Sequence, residues 1–448
     1  FSQYFIPYSG LGVIKNACKE LLLNVESVDG KVLVSLQSTQ AQKDIQLLVG
    51  VFYSEKFDLR PGDVFRREIA VPADTVFDVY VLDAIGKQLL SYREETVVAA
   101  PIPEAARPPR EAEKIESSEE AYLTGLHLEQ YRHANFDPTA YYTRAIELDA
   151  SDSRSNNALG MWFLRRSRFD EAAKFFEFAI HSQKRFNPNP ANGEIFYHLG
   201  LALLGQGRIK EAYDAFYKAT WSAAIQDAAW FECAKISTTE NRLEDALFEV
   251  EKSLSRNNRN YKALGLRIYL LRRSGQSGLA LTSIETVVQN DPFHVIGQIE
   301  KALISSDDSG IQDIIQNKGL SVGMLEPAVF DYVSFGAYSE ALRLIELCLQ
   351  LMPGNILFTY VKAWIEHKSG NDSRASLSKA MSCTIDYAFP KRVEWFAIFS
   401  HALSVNENDY KAHHLFGNFW YDKKQYDLAE QHWQTAIRHQ PLFAASLR

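Results

Sequence analysis

A pattern of small and large apolar residues recurs about every 34 residues through most of this 448-residue chain. In the stretch 411–441, small residues stand at Gly417, Ala429 and Ala436, with bulky apolar or aromatic residues between them. A lone helix does not need this spacing. Two helices packed face to face do, because small residues let their backbones approach while aromatic side chains fill the gaps. The pattern therefore predicts a row of helical hairpins.

At least six segments fit this frame, whose length is typical of tetratricopeptide repeats. Gly160 and Gly200 correspond to Gly417, and Phe176 and Phe216 follow them at the same interval. Glycine is also expected in the turn between the two helices, where a left-handed backbone costs it little. The glycines predicted at these turns are Gly207, Gly275, Gly336 and Gly370.

The segment 295–321 is too degenerate to frame as a repeat. It contains Asp307 and Asp308 within the letters SSDDSG. We interpret this run as a solvated loop rather than a calcium site, because the rest of an EF-hand loop is missing.

The first hundred residues follow a period of two, which is strand spacing. Val32, Val34 and Leu36 alternate with other residues, as do the apolar residues from Ile45 to Val51. Further strands are predicted over 21–26, 64–71, 77–82 and 88–93. We predict an antiparallel β-sandwich of immunoglobulin-like type.

The predicted fold class is mostly α: a tetratricopeptide-type superhelix preceded by this small sandwich. The predicted domains are an N-terminal connecting segment (1–18), the sandwich (19–97), a proline-rich extended linker (98–117) and the superhelix (118–448). Ser117 or Ser118 is expected to cap the first helix. The chain starts without Met and ends inside an apparent repeat, so we expect a piece of a longer protein.

Charge and composition exclude several function classes. The formal net charge is −8 and the chain has no long basic block, which argues against nucleic-acid binding. No apolar run approaches the roughly 20 residues that span a bilayer. The four cysteines have no metal-ligand spacing, and Cys233 and Cys348 fall at core positions. We therefore predict reduced thiols in a cytoplasmic protein, with no metal and no cofactor.

Three stretches resemble one bacterial family: YSGLGVIKNACKELLLNVE (8–26), GLHLEQYRHANFDP (125–138) and EAYDAFYKATWSAAIQDAAWF (211–231). In that family an aldose-epimerase-like, or galactose-mutarotase-like, β-domain precedes a small sandwich and a tetratricopeptide superhelix. The resemblance implies a role in carbohydrate processing, with the expected catalytic groups upstream of Phe1. No catalytic residue is therefore assigned within this chain, which also has no motif that selects a carboxylate pair for glycoside hydrolysis.

The best local site candidate is one helix face. His127, Gln130 and Tyr131 share it by their spacing, and Arg132 and His133 lie beside them. Imidazole, amide, phenol and guanidinium groups suit hydrogen bonds to sugar hydroxyls or to a carboxylate. Docking of the first helix against a β-domain is the favoured interpretation, and ligand contact and a solvated face are the alternatives.

Two further sets of residues are candidates for binding. Trp221 and the nearby Asp227 suit either a buried contact between repeats, which we favour, or stacking on a sugar or partner. The first helices of the hairpins are expected to line a groove. Its candidate residues are Asn157, Met161, Arg165, Tyr197, Phe231, Tyr269, Arg273, Trp364, His414 and Tyr421.

The expected function is a non-catalytic C-terminal region of a carbohydrate-active protein. In it the repeats brace or border the upstream β-domain, or mediate oligomerisation. The alternative is a protein-interaction scaffold that binds a peptide or partner protein in the groove. Expected partners are the upstream domain, a carbohydrate, a second copy of the chain or another protein, and neither nucleic acid nor membrane.

Overall fold

The computed structural model describes residues 3–28, 30–72, 75–93, 107–131, 135–185, 187–305 and 322–443. The predicted Asp307 and Asp308 loop lies outside these ranges. The chain divides into two compact units, Phe1–Arg107 and Pro108–Arg448, and each is described by itself. The first unit is antiparallel β and the second is helical, which confirms the predicted fold class.

The β unit has two four-stranded sheets, with strand orders β1-β2-β3-β6 and β5-β4-β7-β8. Apolar side chains from both sheets form one core, in which Leu36 and Leu47 are fully buried. The core therefore lies between the sheets, as in a sandwich. The strands are β1 (Asn16–Ala17), β2 (Leu21–Val28), β3 (Lys31–Ser38), β4 (Gln42–Val49), β5 (Tyr53–Leu59), β6 (Val64–Ala70), β7 (Asp78–Leu82) and β8 (Gln88–Arg93).

Two details of the β unit correct the sequence prediction. Strand β4 ends at Val49, and Val51 is 94% exposed rather than part of the buried alternation. The chain reverses there, because Gly50 takes a positive φ of 50° that breaks the strand. Strand β5 was not predicted. Its sequence, YSEKFDL, is mostly polar, so the alternation between its more buried face and its solvated face is not visible as an apolar pattern.

The helical unit contains 18 described α-helices, most of them paired as antiparallel hairpins. They are α1 (Ser118–Gln130), α2 (Pro138–Leu148), α3 (Ser153–Leu164), α4 (Phe169–Lys184), α5 (Glu194–Gly205), α6 (Ile209–Ala219), α7 (Gln226–Thr239), α8 (Leu243–Arg256), α9 (Tyr261–Arg273), α10 (Ser277–Asn290), α11 (Val295–Ile304), α12 (Val322–Ser334), α13 (Tyr338–Leu351), α14 (Ile356–Lys368), α15 (Arg374–Ser382), α16 (Trp395–Val405), α17 (Tyr410–Asp422) and α18 (Tyr426–His439).

Inside several hairpins, a glycine of the first helix lies against an aromatic ring of the second. A Cβ atom added at Gly200 would stand 2.5 Å from a ring carbon of Phe216, so no larger residue fits without a shift. This confirms that the repeated small residues allow close helix packing. The same relation joins Gly125 to Tyr142, Gly160 to Phe176, Gly200 to Phe216 and Gly417 to Trp433.

The turns within the hairpins share one backbone geometry. After Leu204, for example, the amide of Gly207 donates to the Leu204 carbonyl and that of Arg208 donates to Leu203, which ends the helix in a Schellman motif. The motif needs one residue at positive φ, and the four predicted glycines occupy it. The described turns have φ between 56° and 78° at Ser167, Gly207, Asn241, Gly275, Gly336, Gly370 and Lys424.

The segment before α1 requires a correction. Residues 108–117 were predicted as part of an extended linker, but Ala112 lies in a short 3₁₀ helix (Ala112–Lys114) and Ile115 is fully buried beside it. Both side chains join the apolar core of the first hairpin. Their burial there stabilises the fold more than their exposure in a solvated linker would. Ser117 caps α1, because its hydroxyl accepts from the amide of Glu120.

Candidate functional site

The last hairpin of the helical unit contacts the second one. The side-chain amide of Gln425, in the turn between α17 and α18, donates to the carbonyl of Arg166 over 3.4 Å. Arg166 lies in the turn between α3 and α4, 259 residues earlier. The row of hairpins therefore curves far enough to bring its end against its beginning.

A recess of about 810 Å³ opens beside this contact, and we call it the closure recess. Helix α1, the start of α2, the α3–α4 turn and the α17–α18 turn all contribute to its walls. The lining residues are Leu128, Glu129, Gln130, Asn135, Phe136, Asp137, Pro138, Trp162, Arg165, Arg166 and Lys424.

Each carboxylate oxygen of Glu129 has a partner. One oxygen pairs with the guanidinium of Arg165, and the other accepts the hydroxyl of Tyr142 over 2.7 Å. Burial and this carboxylate raise the pKa of Tyr142, so its hydroxyl stays a donor. Glu129 and Arg165 thus neutralise one another and form a fixed wall of the recess.

Arg166 is a cation of the recess that forms no ion pair with a described residue. Its guanidinium carbon lies 3.5 Å from the centroid of the Trp162 ring, a cation–π contact, and its Nη1 donates to the Trp162 carbonyl over 3.2 Å. No carboxylate of the described residues lies within ion-pair distance of it. Burial and the neighbouring Arg165 cation lower the pKa of Arg166. These contacts orient the group but leave its charge available to an anion.

Lys424 and Asp137 complete the polar part of the recess. The ammonium group of Lys424 is exposed and has no ion pair with a residue in the described ranges. Asp137 caps α2, since its carboxylate accepts from the amide of Thr139 over 2.9 Å. The described lining therefore has three cations and two carboxylates, and both carboxylates are already engaged. Together with the apolar surfaces of Phe136 and Trp162, this arrangement suits an anionic group attached to an apolar body.

The predicted helix face only borders this recess. Gln130 lines it, whereas His127 and Tyr131 are exposed and contact each other, with ring centroids 4.6 Å apart. Arg132 and His133 lie outside the described residues. The assignment of this face to docking or to ligand contact stays a prediction.

Trp221 does not make the buried contact between repeats that the sequence favours. Its side chain is 63% exposed, and the ammonium of Lys218 lies 3.7 Å from its ring centroid. The helix ends at Ala219, so Trp221 falls in the following turn and points away from the core. Asp227 instead has a structural contact, because its carboxylate accepts from the side-chain amide of Asn257 over 2.9 Å.

The predicted groove residues divide into accessible and buried ones. Four are buried, so they cannot serve as groove contacts in this structure: burial of their aromatic surface outweighs its exposure in a groove. They are Phe231, Tyr269, Trp364 and His414. The remaining candidates are at least partly exposed: Asn157, Met161, Arg165, Tyr197, Arg273 and Tyr421.

The sequence interpretation missed Trp162, Arg166 and Lys424 as site residues. A signal for two of the turns was present, because the sequence has Ser167 and Lys424 where other hairpins have glycine or asparagine. Both residues adopt the left-handed conformation, which a non-glycine residue enters at a cost of roughly 1–2 kcal/mol. Such strain is often retained where a side chain is needed.

A second charged cluster is too buried to act on a substrate. Arg272 pairs with Glu300 and with Glu340, and the hydroxyl of Tyr332 donates to Glu300 over 2.9 Å. The Glu300 side chain has no exposed surface, and burial raises its pKa. The cluster joins helices α9, α11, α12 and α13. Within the described ranges, no group of three His, Cys, Asp or Glu residues could hold a metal ion, and no helix is long and apolar enough to cross a membrane.

Comparisons with known proteins match each unit separately. Residues 16–92 match the family described as YphG-like protein, second domain. Residues 157–229 match the tetratricopeptide repeat.

Several solved structures of repeat proteins match parts of the chain. YrrB, described as a tetratricopeptide protein with an unusual peptide-binding site, is 20% identical, with 41% of this chain and 92% of YrrB covered and a TM-score of 0.35. The pilF protein of Pseudomonas aeruginosa is 20% identical, with coverage of 49% and 96% and a TM-score of 0.39. A tetratricopeptide protein from Parabacteroides merdae is 15% identical, with coverage of 66% and 99% and a TM-score of 0.32. The chain thus combines a segment similar to the second domain of YphG-like proteins with a superhelix of tetratricopeptide repeats.

Proposed function

We propose that the helical unit is a scaffold that binds a protein partner, and that a peptide segment of this partner enters the closure recess. The observation that carries the proposal is the recess itself: it is open and walled by separate hairpins, and its Arg166 and Lys424 cations lack ion pairs with described residues. An apolar surface with a few convergent polar groups is the usual form of a binding site.

The test selects peptides from a random library of 12-residue sequences on the immobilised 448-residue chain. Selected peptides should bind at least tenfold more weakly to Gln130→Trp, because an indole at this exposed position obstructs the recess. Leu123→Trp is the matched control, since Leu123 is exposed on the same helix but does not line the recess. Failure to enrich any sequence, or equal binding to Gln130→Trp, would contradict the proposal.

A second candidate function is support of an upstream carbohydrate-active domain. Two observations favour it: the family that matches residues 16–92 is described as a second domain, and three stretches resemble a carbohydrate-processing family. In this role the exposed pair His127 and Tyr131 borders the sugar site or docks the upstream domain.

This candidate is tested on the longer protein by changing His127 and Tyr131 to Ala. Each hydrogen bond to a sugar hydroxyl contributes on the order of 0.5–1.5 kcal/mol. The double change should therefore weaken substrate binding or turnover roughly five- to a hundredfold. Melting temperature is measured on the same variant. A large loss of stability with a proportional loss of activity would indicate docking instead. Hydrolysis of aryl glycosides or disaccharides by the isolated chain would overturn its assignment as non-catalytic.

A further inference from the structure

We propose that Arg166 and Lys424 jointly bind a carboxylate of the partner, so that the closure recess recognises an acidic peptide segment. This inference rests on the proposed scaffold function and adds to it the chemical class of the ligand. It depends on three independent features of the recess: its charge, its backbone strain and its apolar wall.

The charge of the recess favours an anion. The chain as a whole has a formal net charge of −8, yet the described lining has an excess of one cation. Glu129 pairs with Arg165 and Tyr142, and Asp137 caps α2, so neither carboxylate forms an ion pair with Arg166 or Lys424, although both attract the Arg166 cation through space. A single excess charge matches a carboxylate better than a doubly charged phosphate, because Asp137, which has no ion pair with a described residue, would repel the second charge.

The backbone provides a separate argument. Ser167 and Lys424 have φ of 57° and 56° at the turn position that glycine or asparagine occupies in the other described hairpins. Glycine would relieve this strain. Lys424 is the one of the two whose side chain lines the recess. A strained lysine at the mouth of a cationic recess is expected where its ammonium group contacts a ligand.

The apolar wall indicates what stands beside the carboxylate. Trp162 lies against the guanidinium of Arg166, and Phe136 lines the same recess. The guanidinium is planar and suited to a carboxylate. We therefore expect an Asp or Glu followed or preceded by an apolar residue. The two cations come from turns far apart in sequence, so a peptide bound to both also links the last hairpin to the second.

The experiment uses the full chain and synthetic peptides from the library selection, each in a Glu form and a matched Gln form. The Glu form should bind at least tenfold more tightly, and the preference should shrink as sodium chloride rises from low to high concentration. Arg166→Ala and Lys424→Gly should each weaken the Glu form about tenfold and leave the Gln form unchanged.

Ser167→Gly is the matched control for the backbone. Both glycine variants should raise the melting temperature, because both relieve a left-handed residue. Only Lys424→Gly should lose affinity, a combination that a purely structural role of Lys424 does not produce. Equal affinity of Glu and Gln peptides would overturn the inference while leaving the scaffold function standing. Displacement of the peptides by oligogalacturonate, with no Glu preference among peptides, would assign the carboxylate to a sugar and would also overturn it.

Discussion

Gln425 donates a hydrogen bond to the carbonyl of Arg166, so the turn of the last hairpin touches the turn of the second. The contact is made by side-chain and backbone atoms of two turns that share the same left-handed geometry at Lys424 and Ser167. It defines the closure recess and connects segments that the repeat pattern alone leaves unrelated.

This contact predicts a short distance between the two turns in solution. Cysteines placed at Ser167 and Lys424, with the native cysteines replaced, should give a narrow distribution of spin-label distances that broadens when Gln425 is also changed to Ala. A broad distribution in the parent chain would show that the row of hairpins stays open. Labels at Ser167 and Asn241, two turns within the same row, provide the control because their separation does not depend on closure.

The two non-glycine residues in the left-handed turn position predict that glycine there stabilises the chain. Ser167→Gly and Lys424→Gly should each raise the free energy of unfolding by about 1 kcal/mol, the typical advantage of glycine at positive φ. Urea denaturation of the helical unit measures this change. Replacement of Gly207 by Ala, at φ 76°, should have the opposite sign and serves as the reference. Destabilisation by Ser167→Gly would show that its conformation is not strained.

The packing of glycine against aromatic rings predicts that alanine substitution has different effects on stability at two glycines. Gly200→Ala should lower the free energy of unfolding by about 1–3 kcal/mol, because the added methyl group meets Phe216 at 2.5 Å. Gly278→Ala should have no cost, since no atom lies within 4 Å of its added Cβ and alanine favours a helix. Equal effects at both positions would refute the packing argument. Ala429→Trp, at a fully buried site of the last hairpin, should loosen that hairpin further.

Two imidazoles of the last hairpin predict an acid-sensitive helical unit. Burial lowers the pKa of His414 to about 4, and burial together with His413 lowers the pKa of His432 to about 4. The unfolded chain binds protons near the ordinary histidine pKa of about 6.5, so it takes up more protons than the folded chain between pH 6.5 and 4. The stability that both groups contribute is complete above pH 6.5 and falls as the pH drops towards 4.

Denaturation at pH 7.5 and at pH 5 measures this loss, which we expect to be roughly 1–3 kcal/mol for each imidazole over the full window. His432→Gln should reduce the pH dependence, because it removes one group whose pKa burial lowers, and His181→Gln, at an exposed position, is the surface control. A pH dependence of the same size in His432→Gln would show that other groups cause it.

The buried charge cluster predicts a large effect from a single change. Glu300→Ala removes a partner of Arg272 and leaves this guanidinium enclosed between helices, so the free energy of unfolding should fall by about 3–5 kcal/mol. Glu211→Ala, in the surface pair with Arg208, should change stability little. Chemical denaturation of both variants provides the comparison, and a small effect of Glu300→Ala would mean that Glu340 alone satisfies Arg272.

The sequence by itself determined the repeated hairpins and the change from strands to helices. Gly200 and Phe216 lie in one hairpin, and Val32, Val34 and Leu36 in one strand, so their relation follows from local periods of 3.6 and 2 residues. The turn glycines follow for the same reason, because the need for a positive φ at Gly207 is local to its turn. Polar strand β5 escaped this reasoning, since its burial depends on the strand beside it.

Only the tertiary structure showed that the closure recess exists and which aromatic candidate residues are buried. Phe231, Tyr269 and Trp364 are buried because a following hairpin covers them, whereas Trp221 stays exposed beyond the end of its helix. Arg166 and Lys424 share a recess because small rotations from one hairpin to the next add up along the superhelix and return its end to its beginning. A repeat period specifies each neighbouring contact, but the sum of these rotations depends on side-chain packing in every hairpin between them.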